Sequence, residues 1–503
     1  MNKNTLVILV LIFLFAFIVR FLSVWPANTI LGFDQARDLF DSAKILQGDL
    51  RIIGPTAGNN PNLHHGILWL YFIAIPLIFS HNPIYTVLWN SLFNAFSVIV
   101  IFLLAKDLFN SKKAGIIAGT LTAASYYYVS FSGWLSNPTV TLLTVPLFFF
   151  GVWKYYQKRS WGLILSMLAL GLSIQFELFF IYLIPIFLLL WLTLKPKFPN
   201  LKILIISAAT LLVTLSTMIA TEIKFHFAGI LSIFGAGKLV GEVHTSFFSL
   251  LKGFLIKDWE TFYLNFWPQN KEFGIVFGLI VVSFFVFEII KNYRNKEIRK
   301  RNLFLLVWLL SPIIMFFLGA HNAPWFLIGR QAAGIIMGAY LISKLKFKYL
   351  IIPVVLFFIY MNLSTVDGSY GLGQPLLEPD KGSILSKQIA VMKYTYEKSN
   401  GESFSIDTVT NPLYINAVWA WNYDWYGKKV GYKPSWLGGD QLAPYNTLEK
   451  ATGKEKYMFL IVDETPRIPP IYTQNALKSI SKSGKLLEEK SFNGLTVMAF
   501  VNQ

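Results

Sequence analysis

Residues 5–24 read TLVILVLIFLFAFIVRFLSV and, after WPANTIL at 25–31, residues 32–41 read GFDQARDLFD. The first stretch carries a single charge, Arg20, over the run of about 20 apolar residues that a helix needs to cross a bilayer. It leaves through Ser23-Val24-Trp25-Pro26 without a small-residue cleavage site, so the expectation is a retained anchor and not a removed signal peptide. The second stretch reads as an amphipathic helix running to about Leu46. Helical spacing puts Arg37 within reach of Asp34 and Asp41, and sets Asp34 and Asp38 on one face. A membrane anchor followed at once by a charged juxtamembrane helix sets the plan against which the remaining chain is read.

Working outward, apolar runs recur as far as Met361, at roughly 5–24, 84–105, 114–132, 139–153, 161–175, 178–194, 203–220, 273–290, 302–319, 325–343 and 349–362. Across the 503 residues 54% are hydrophobic and 14% charged, with a mean hydropathy of +0.52, against about a quarter charged in an average soluble chain. The net charge of +17 forms no single soluble face, because nearly all the surplus lies between apolar runs. Nucleic acid is therefore excluded as the natural partner, and the lipid bilayer takes its place. Without cysteine there is no disulfide, thiolate metal site or cysteine nucleophile.

Lysine and arginine in short loops tend to stay cytoplasmic. With the N-terminus inside, Lys106, Lys112, Lys113, Lys154, Lys158, Arg159, Lys195, Lys197, Lys202, the basic cluster 291–301 and Lys344, Lys346 and Lys348 also fall inside. This parity requires the apolar piece 67–79, too short to span, to lie in the interface or re-enter. Segments 25–83, 221–272 and everything after Met361 then face outward. The expected architecture is mainly α: a polytopic transmembrane helix bundle of about eleven spans over 1–362, with an extracytoplasmic α/β domain over 363–503. Within that tail, helix-like stretches lie near 383–399 and 471–482, and strand-like runs at 457–462 and 495–501.

The plan resembles the GT-C superfamily of polytopic glycosyltransferases, in the branch using polyprenyl-phosphate sugars, such as protein O-mannosyltransferases and lipid A aminoarabinose transferases. The resemblance rests on the first span, the acidic pair opening a juxtamembrane helix, the Gly48-Asp49 element, and His64-His65-Gly66-Ile67-Leu68-Trp69-Leu70-Tyr71 in place of a Lys-Pro-Pro or His-Pro-Pro element. It implies a sugar moved from a polyprenyl-phosphate carrier to a hydroxyl on a protein, lipid or glycan, with Asp34 as the catalytic acid residue. The usual glutamate neighbour is Gln35 here, and the second acid of some relatives falls at Asn137 in Ser136-Asn137-Pro138. Both departures remove negative charge. No cofactor is expected, and a divalent metal is the open question.

A sugar on a lipid phosphate already has a good leaving group, so a carboxylate within reach of the acceptor hydroxyl can act as base, and the departing phosphate needs cations or hydrogen-bond donors. Arg330 is the first choice for the phosphate, since a charge interrupting an apolar span costs roughly 2.5–3.5 kcal/mol at the helix centre unless paired or wet. His64 and His65 are candidates through their element, and His321 through its outer loop. Asn137, Arg37, Asp38 and Arg20 complete the set of candidate substrate contacts, with structural pairing the simpler reading of Arg20. Glu177, at an outer turn, either lines the cavity or belongs to a solvated hairpin. Asp34 has its own ordinary reading, as a helix N-cap. The rings of Trp419, Trp421, Tyr423, Trp425, Tyr426 and Trp436 suit sugar stacking, an interface or a small-domain core. A transporter or lipid flippase, or an inactive scaffold of the same fold, are the competing readings.

Overall fold

A computed structural model describes residues 3–57, 60–235, 247–317 and 324–503. Over the described residues the apolar runs of the sequence are helical, some as one helix and others as two in succession, and the end of the run 302–319 lies outside them. Helix α1 (Lys3–Val24) is the anchor. Segment 25–83 forms α2 (Phe33–Leu46) and the ten-residue α3 (Leu68–Leu77), which is too short to cross a membrane. The next run is α4 (Pro83–Ala95) joined through Phe96 to α5 (Ser97–Phe109), with Pro83 in the first turn and the Asn82 side chain accepting from the Ile84 N–H at 3.1 Å. Then follow α6 (Lys112–Ala124), α7 (Tyr126–Ser132), α8 (Thr141–Tyr156), α9 (Trp161–Phe176), α10 (Leu183–Leu194) and α11 (Leu201–Lys224).

Segment 221–272 contributes α12 (Ala228–Gly235) and α13 (Phe247–Tyr263), neither anticipated from the sequence. The bundle ends with α14 (Lys271–Lys291), α15 (Lys296–Leu310), α16 (Ile313–Phe317), α17 (Gln331–Ser343) and α18 (Ile351–Gly368). Among the described residues, five helical stretches are long and apolar enough to span by themselves: Lys3–Val24, Pro83–Phe109, Leu201–Lys224, Lys271–Lys291 and Lys348–Gly368.

Helices α8 and α9 approach at glycines: a Cβ built on Gly151 would lie 2.6 Å from the Ser166 nitrogen, and one on Gly162 would lie 2.4 Å from the Tyr155 nitrogen. Aromatic rings fill the bundle core, with Phe149 stacked on Trp308 at 4.2 Å. Its outer faces leave Leu11, Leu22, Val213, Ile280, Phe287 and Ile352 exposed, as helices turned toward lipid require.

Beyond the bundle, α19 (Leu385–Ser399), β1 (Phe404–Val409), α20 (Ala417–Val430), β2 (Ser435–Trp436), β3 (Tyr457–Asp463), α21 (Pro470–Ile480), β4 (Gly484–Ser491) and β5 (Leu495–Asn502) form an α/β domain. The sheet runs β2-β1-β3-β5-β4, parallel across its first three strands and antiparallel at β3–β5 and β5–β4. Central β3 is apolar on both faces: Phe459 and Ile461 pack beneath α19 and α20, while Met458, Leu460 and Val462 pack against α21. The β4–β5 hairpin turns on Asn493 and Gly494, both at positive φ.

This domain is stitched to segment 25–83. The Leu31 N–H donates to the Ser383 carbonyl at 2.7 Å, and the Leu385 N–H to the Thr29 carbonyl at 2.9 Å. One buried cluster joins Phe40, Ala43, Trp69 and Leu70 of segment 25–83 to Leu385, Trp421 and Tyr445 of the domain. The α/β domain and α2 therefore share one side of the bundle.

Candidate functional site

Helix α2 starts at Phe33 after Gly32, and the Gln35 side-chain oxygen reaches back to accept from the Gly32 N–H at 3.0 Å. Gln35 does the capping, and Asp34, already inside the first turn, is not the N-cap. Its side chain is 67% exposed, and among the described residues only Oδ1 is engaged, by Arg37 Nη1 at 2.8 Å. A carboxylate in the first turn also gains from the helix dipole.

Arg37 does not reach Asp41 as the spacing suggested. It donates to Asp38 Oδ1 through Nε at 3.0 Å and Nη2 at 2.8 Å, while Asp38 Oδ2 accepts from Trp69 Nε1 at 2.8 Å. Asp38 is buried, so leaving it unpaired would cost more than leaving Asp41 unpaired. Burial pushes the Asp38 carboxyl up to about 6, against the pull of Arg37 and Trp69. Asp41 is served instead by Arg51 at 2.7 Å, which also holds Asp49 at 2.8 Å.

Behind this helix the fold gathers three residues far apart in sequence. His65 Nδ1 lies 3.4 Å from Glu177 Oε1 and accepts from the Leu178 N–H at 3.4 Å. Asn137 Nδ2 donates to the Phe176 carbonyl at 2.6 Å and to Glu177 Oε2 at 3.4 Å. Glu177 sits in the turn between two apolar helices and is buried, which overturns the solvated-hairpin reading. Burial pushes its carboxyl up to about 8, against the Phe179 N–H and Asn137, and pushes the His65 imidazole down to about 3, helped by the charges of Arg37 and His64. Near neutral pH the pair is an uncharged acid against an uncharged imidazole. His64 stacks on Phe225 at 6.0 Å.

Two cavities adjoin these residues. One, of about 220 Å³, is mainly apolar and is lined by His64, His65, Leu178, Met218 and Glu222 among others. The other, of about 430 Å³, is lined by Asp41, Arg51, Leu70 and Lys224. They flank Thr221, whose hydroxyl lies 3.3 Å from the Ile52 carbonyl.

The remaining candidates lie apart from this group. Arg330 is buried in an ion pair with Asp258, also donates to the Asp258 carbonyl, and stands 5.7 Å from the Phe262 ring centre. Its Nε has no partner among the described residues. Arg20 is fully buried, with Nη1 donating to the Ala16 carbonyl at 3.0 Å and the Ala123 carbonyl at 3.3 Å. His321 lies outside the described residues. Among the described residues no three carboxylate, imidazole or thiol groups are gathered as a metal ion would need. Of the tail aromatics, Trp419, Trp421, Tyr423 and Trp436 are buried, so they serve packing and docking before any sugar.

Sequence reasoning missed the roles of Trp69, Arg51, Asp258 and Tyr445. Trp69 stood inside the His64–Tyr71 element, yet nothing in the sequence tied its indole to Asp38. Asp258, one of two acids in the aromatic-rich stretch 247–267, was the available signal for Arg330.

The architecture matches ArnT from Cupriavidus metallidurans in its apo state, with a TM-score of 0.59, 11% identity and 97% of both chains covered. The chain has the GT-C fold. ArnT bound to undecaprenyl phosphate matches with a TM-score of 0.55 at 11% identity, over 99% of this chain and 98% of the other. The archaeal oligosaccharyltransferase AglB from Archaeoglobus fulgidus, in complex with an inhibitory peptide and a dolichol-phosphate, matches at 0.51 and 13% identity, over 100% of this chain and 74% of that one. No family model and no curated protein matches the sequence. At these identities the likeness is one of fold.

Proposed function

We propose that this protein is an integral membrane glycosyltransferase, hexosyltransferase-like, that moves a sugar from a polyprenyl-phosphate carrier to an acceptor hydroxyl on the outer face of the membrane. The observation that carries the reading is Asp34: an exposed carboxylate in the first turn of the juxtamembrane helix, with one oxygen fixed by Arg37 and the other without a partner among the described residues. In that position it takes the acceptor's proton. The acceptor oxygen forms its bond to the anomeric carbon as the carbon–oxygen bond to phosphate breaks, and the polyprenyl phosphate leaves with the electron pair. The bound lipids of ArnT and AglB support a lipid-phosphate donor for this chain as well.

For the lipid we assign the apolar cavity beside His64 and His65. For the phosphate we assign Arg330, whose Nε is the donor left after its pairing with Asp258. No contact joins either histidine to Arg330 among the described residues, so both are assigned to the lipid cavity they line. The basic loops support a cytoplasmic N-terminus, and the docking of the α/β domain on α2 supports assigning both to the outer side, with the boundary assigned near 362. Among the described residues no group of side chains gathers to hold a metal, and the step above uses none.

Purified protein incubated with radiolabelled polyprenyl-phosphate sugars should transfer the label to a hydroxyl acceptor or release it by hydrolysis. Lipid bound with no label transferred or released would favour a carrier or an inactive scaffold.

A further inference from the structure

The connection between β2 and β3 carries Tyr445 out of the α/β domain and onto α2. Its ring meets Phe40 edge-on at 5.4 Å and Phe33 at 6.1 Å. Phe33, Arg37 and Phe40 fall at i, i+4 and i+7, one stripe of the helix, so a ring touching both phenylalanines spans the turn that presents Arg37. The neighbouring stripe carries Asp34, Asp38 and Asp41, and all three carboxylates and Arg37 act electrostatically on the Tyr445 phenol. The connection is pinned to its own domain. Asn416 Nδ2 donates to the Tyr445 carbonyl at 3.4 Å and to Gln441 Oε1 at 2.8 Å, and the Tyr445 N–H donates to the Leu442 carbonyl at 2.8 Å. Trp421 fastens the same junction, edge-on to Phe40 at 5.0 Å and stacked on His81 at 5.5 Å.

We propose that Tyr445 is a positioning residue contributed by the α/β domain, its hydroxyl holding the acceptor hydroxyl beside Asp34. An alcohol about to be deprotonated needs one group to take its proton and one to donate to its oxygen. Asp34 has an unengaged oxygen for the first task. Burial and the adjacent carboxylates push the phenol up to about 12, so it stays a neutral donor for the second. Asp38 and Asp41 are already bonded to Trp69 and Arg51, which leaves Asp34 as the exposed partner for an incoming hydroxyl. Acceptor placement would then depend on how the α/β domain is docked, which ties the domain to the chemistry as well as to stability.

This inference rests on the transferase reading. The test uses the full chain in lipid nanodiscs with a polyprenyl-phosphate mannose donor, and with glycerol and water as hydroxyl probes. Tyr445→Phe keeps the ring between Phe33 and Phe40 and removes only the hydroxyl. It should lower kcat/KM for the hydroxyl acceptor by about 3- to 10-fold, the worth of one neutral hydrogen bond, while KM for the donor and the melting temperature stay at wild-type values. Tyr445→Ala should lose acceptor use further and also melt earlier. A wild-type acceptor kcat/KM in Tyr445→Phe would overturn the inference and leave the transferase reading standing. No product from the wild-type protein would overturn both.

Discussion

Replacing Glu177 by glutamine gives a change in pH-dependent stability that can be worked from two buried neighbours. The folded protein keeps Glu177 protonated up to about pH 8, whereas the unfolded chain ionises it at its ordinary 4.5. Between those values the folded state binds more protons, so stability falls as pH rises, by about 1.4 kcal/mol per pH unit. His65 works in the opposite sense: folding holds it neutral down to about 3, while the unfolded imidazole takes a proton below 6.5, so stability rises with pH between those values. The two slopes cancel from 4.5 to 6.5, and from 6.5 to 8 only the Glu177 loss remains, roughly 2 kcal/mol. Glu177→Gln removes that loss and keeps the shape, since the amide oxygen can still accept from the Phe179 N–H. With an unfolding entropy of about 2.1 cal/mol/K per residue, 2 kcal/mol over a chain this long is roughly 2 °C. The assay is intrinsic tryptophan fluorescence melting in detergent at pH 6.5 and 8.5. Wild type should lose those degrees between the two pH values and Glu177→Gln should not. Parallel losses in both proteins would refute the assignment of a protonated buried acid.

At the other buried charge, Arg330→Ala strands Asp258 and should destabilise the protein by about 3–5 kcal/mol in chemical melts, with Arg330→Ala/Asp258→Asn recovering part of it. If Arg330 also holds phosphate, the double variant should bind polyprenyl phosphate about 10- to 150-fold more weakly, and unchanged affinity would confine Arg330 to the ion pair. For topology, the absence of native cysteine allows Ser481→Cys and Arg159→Cys to be read without background. A membrane-impermeant thiol reagent on intact cells should reach position 481 and not position 159, and the reverse pattern would invert the orientation.

The bundle was legible because a run of apolar residues long enough to cross lipid has few other uses, and α1, α11, α14 and α18 follow from that alone. Strands β3 and β5 were legible for a similar reason, as short apolar runs between turn residues. Helix α20 was not, because Ala417 to Tyr423 is buried nearly all round and shows no amphipathic period. Helices α12 and α13 were hidden inside a segment read only for its side of the membrane. In the site, the Asp34–Arg37 contact could be read from its i, i+3 spacing. The Trp69–Asp38, His65–Glu177 and Arg330–Asp258 pairs could not, since each joins different elements and exists only once the helices pack. The same limit explains why Arg37 was expected on Asp41: helical spacing ranks neighbours but does not reveal which carboxylate is buried.

The central claim is that Asp34 removes the acceptor's proton, and the most direct measurement compares wild type with Asp34→Asn for turnover and donor binding in the same preparation. Asparagine keeps an oxygen for Arg37 and leaves the Gln35 cap untouched. The account predicts that turnover falls by about 10²- to 10⁴-fold, the usual worth of general-base catalysis, while polyprenyl-phosphate sugar still binds and the melting temperature holds. Near-normal turnover in Asp34→Asn would contradict the account, because Gln35 and Asn137 offer no carboxylate to replace it.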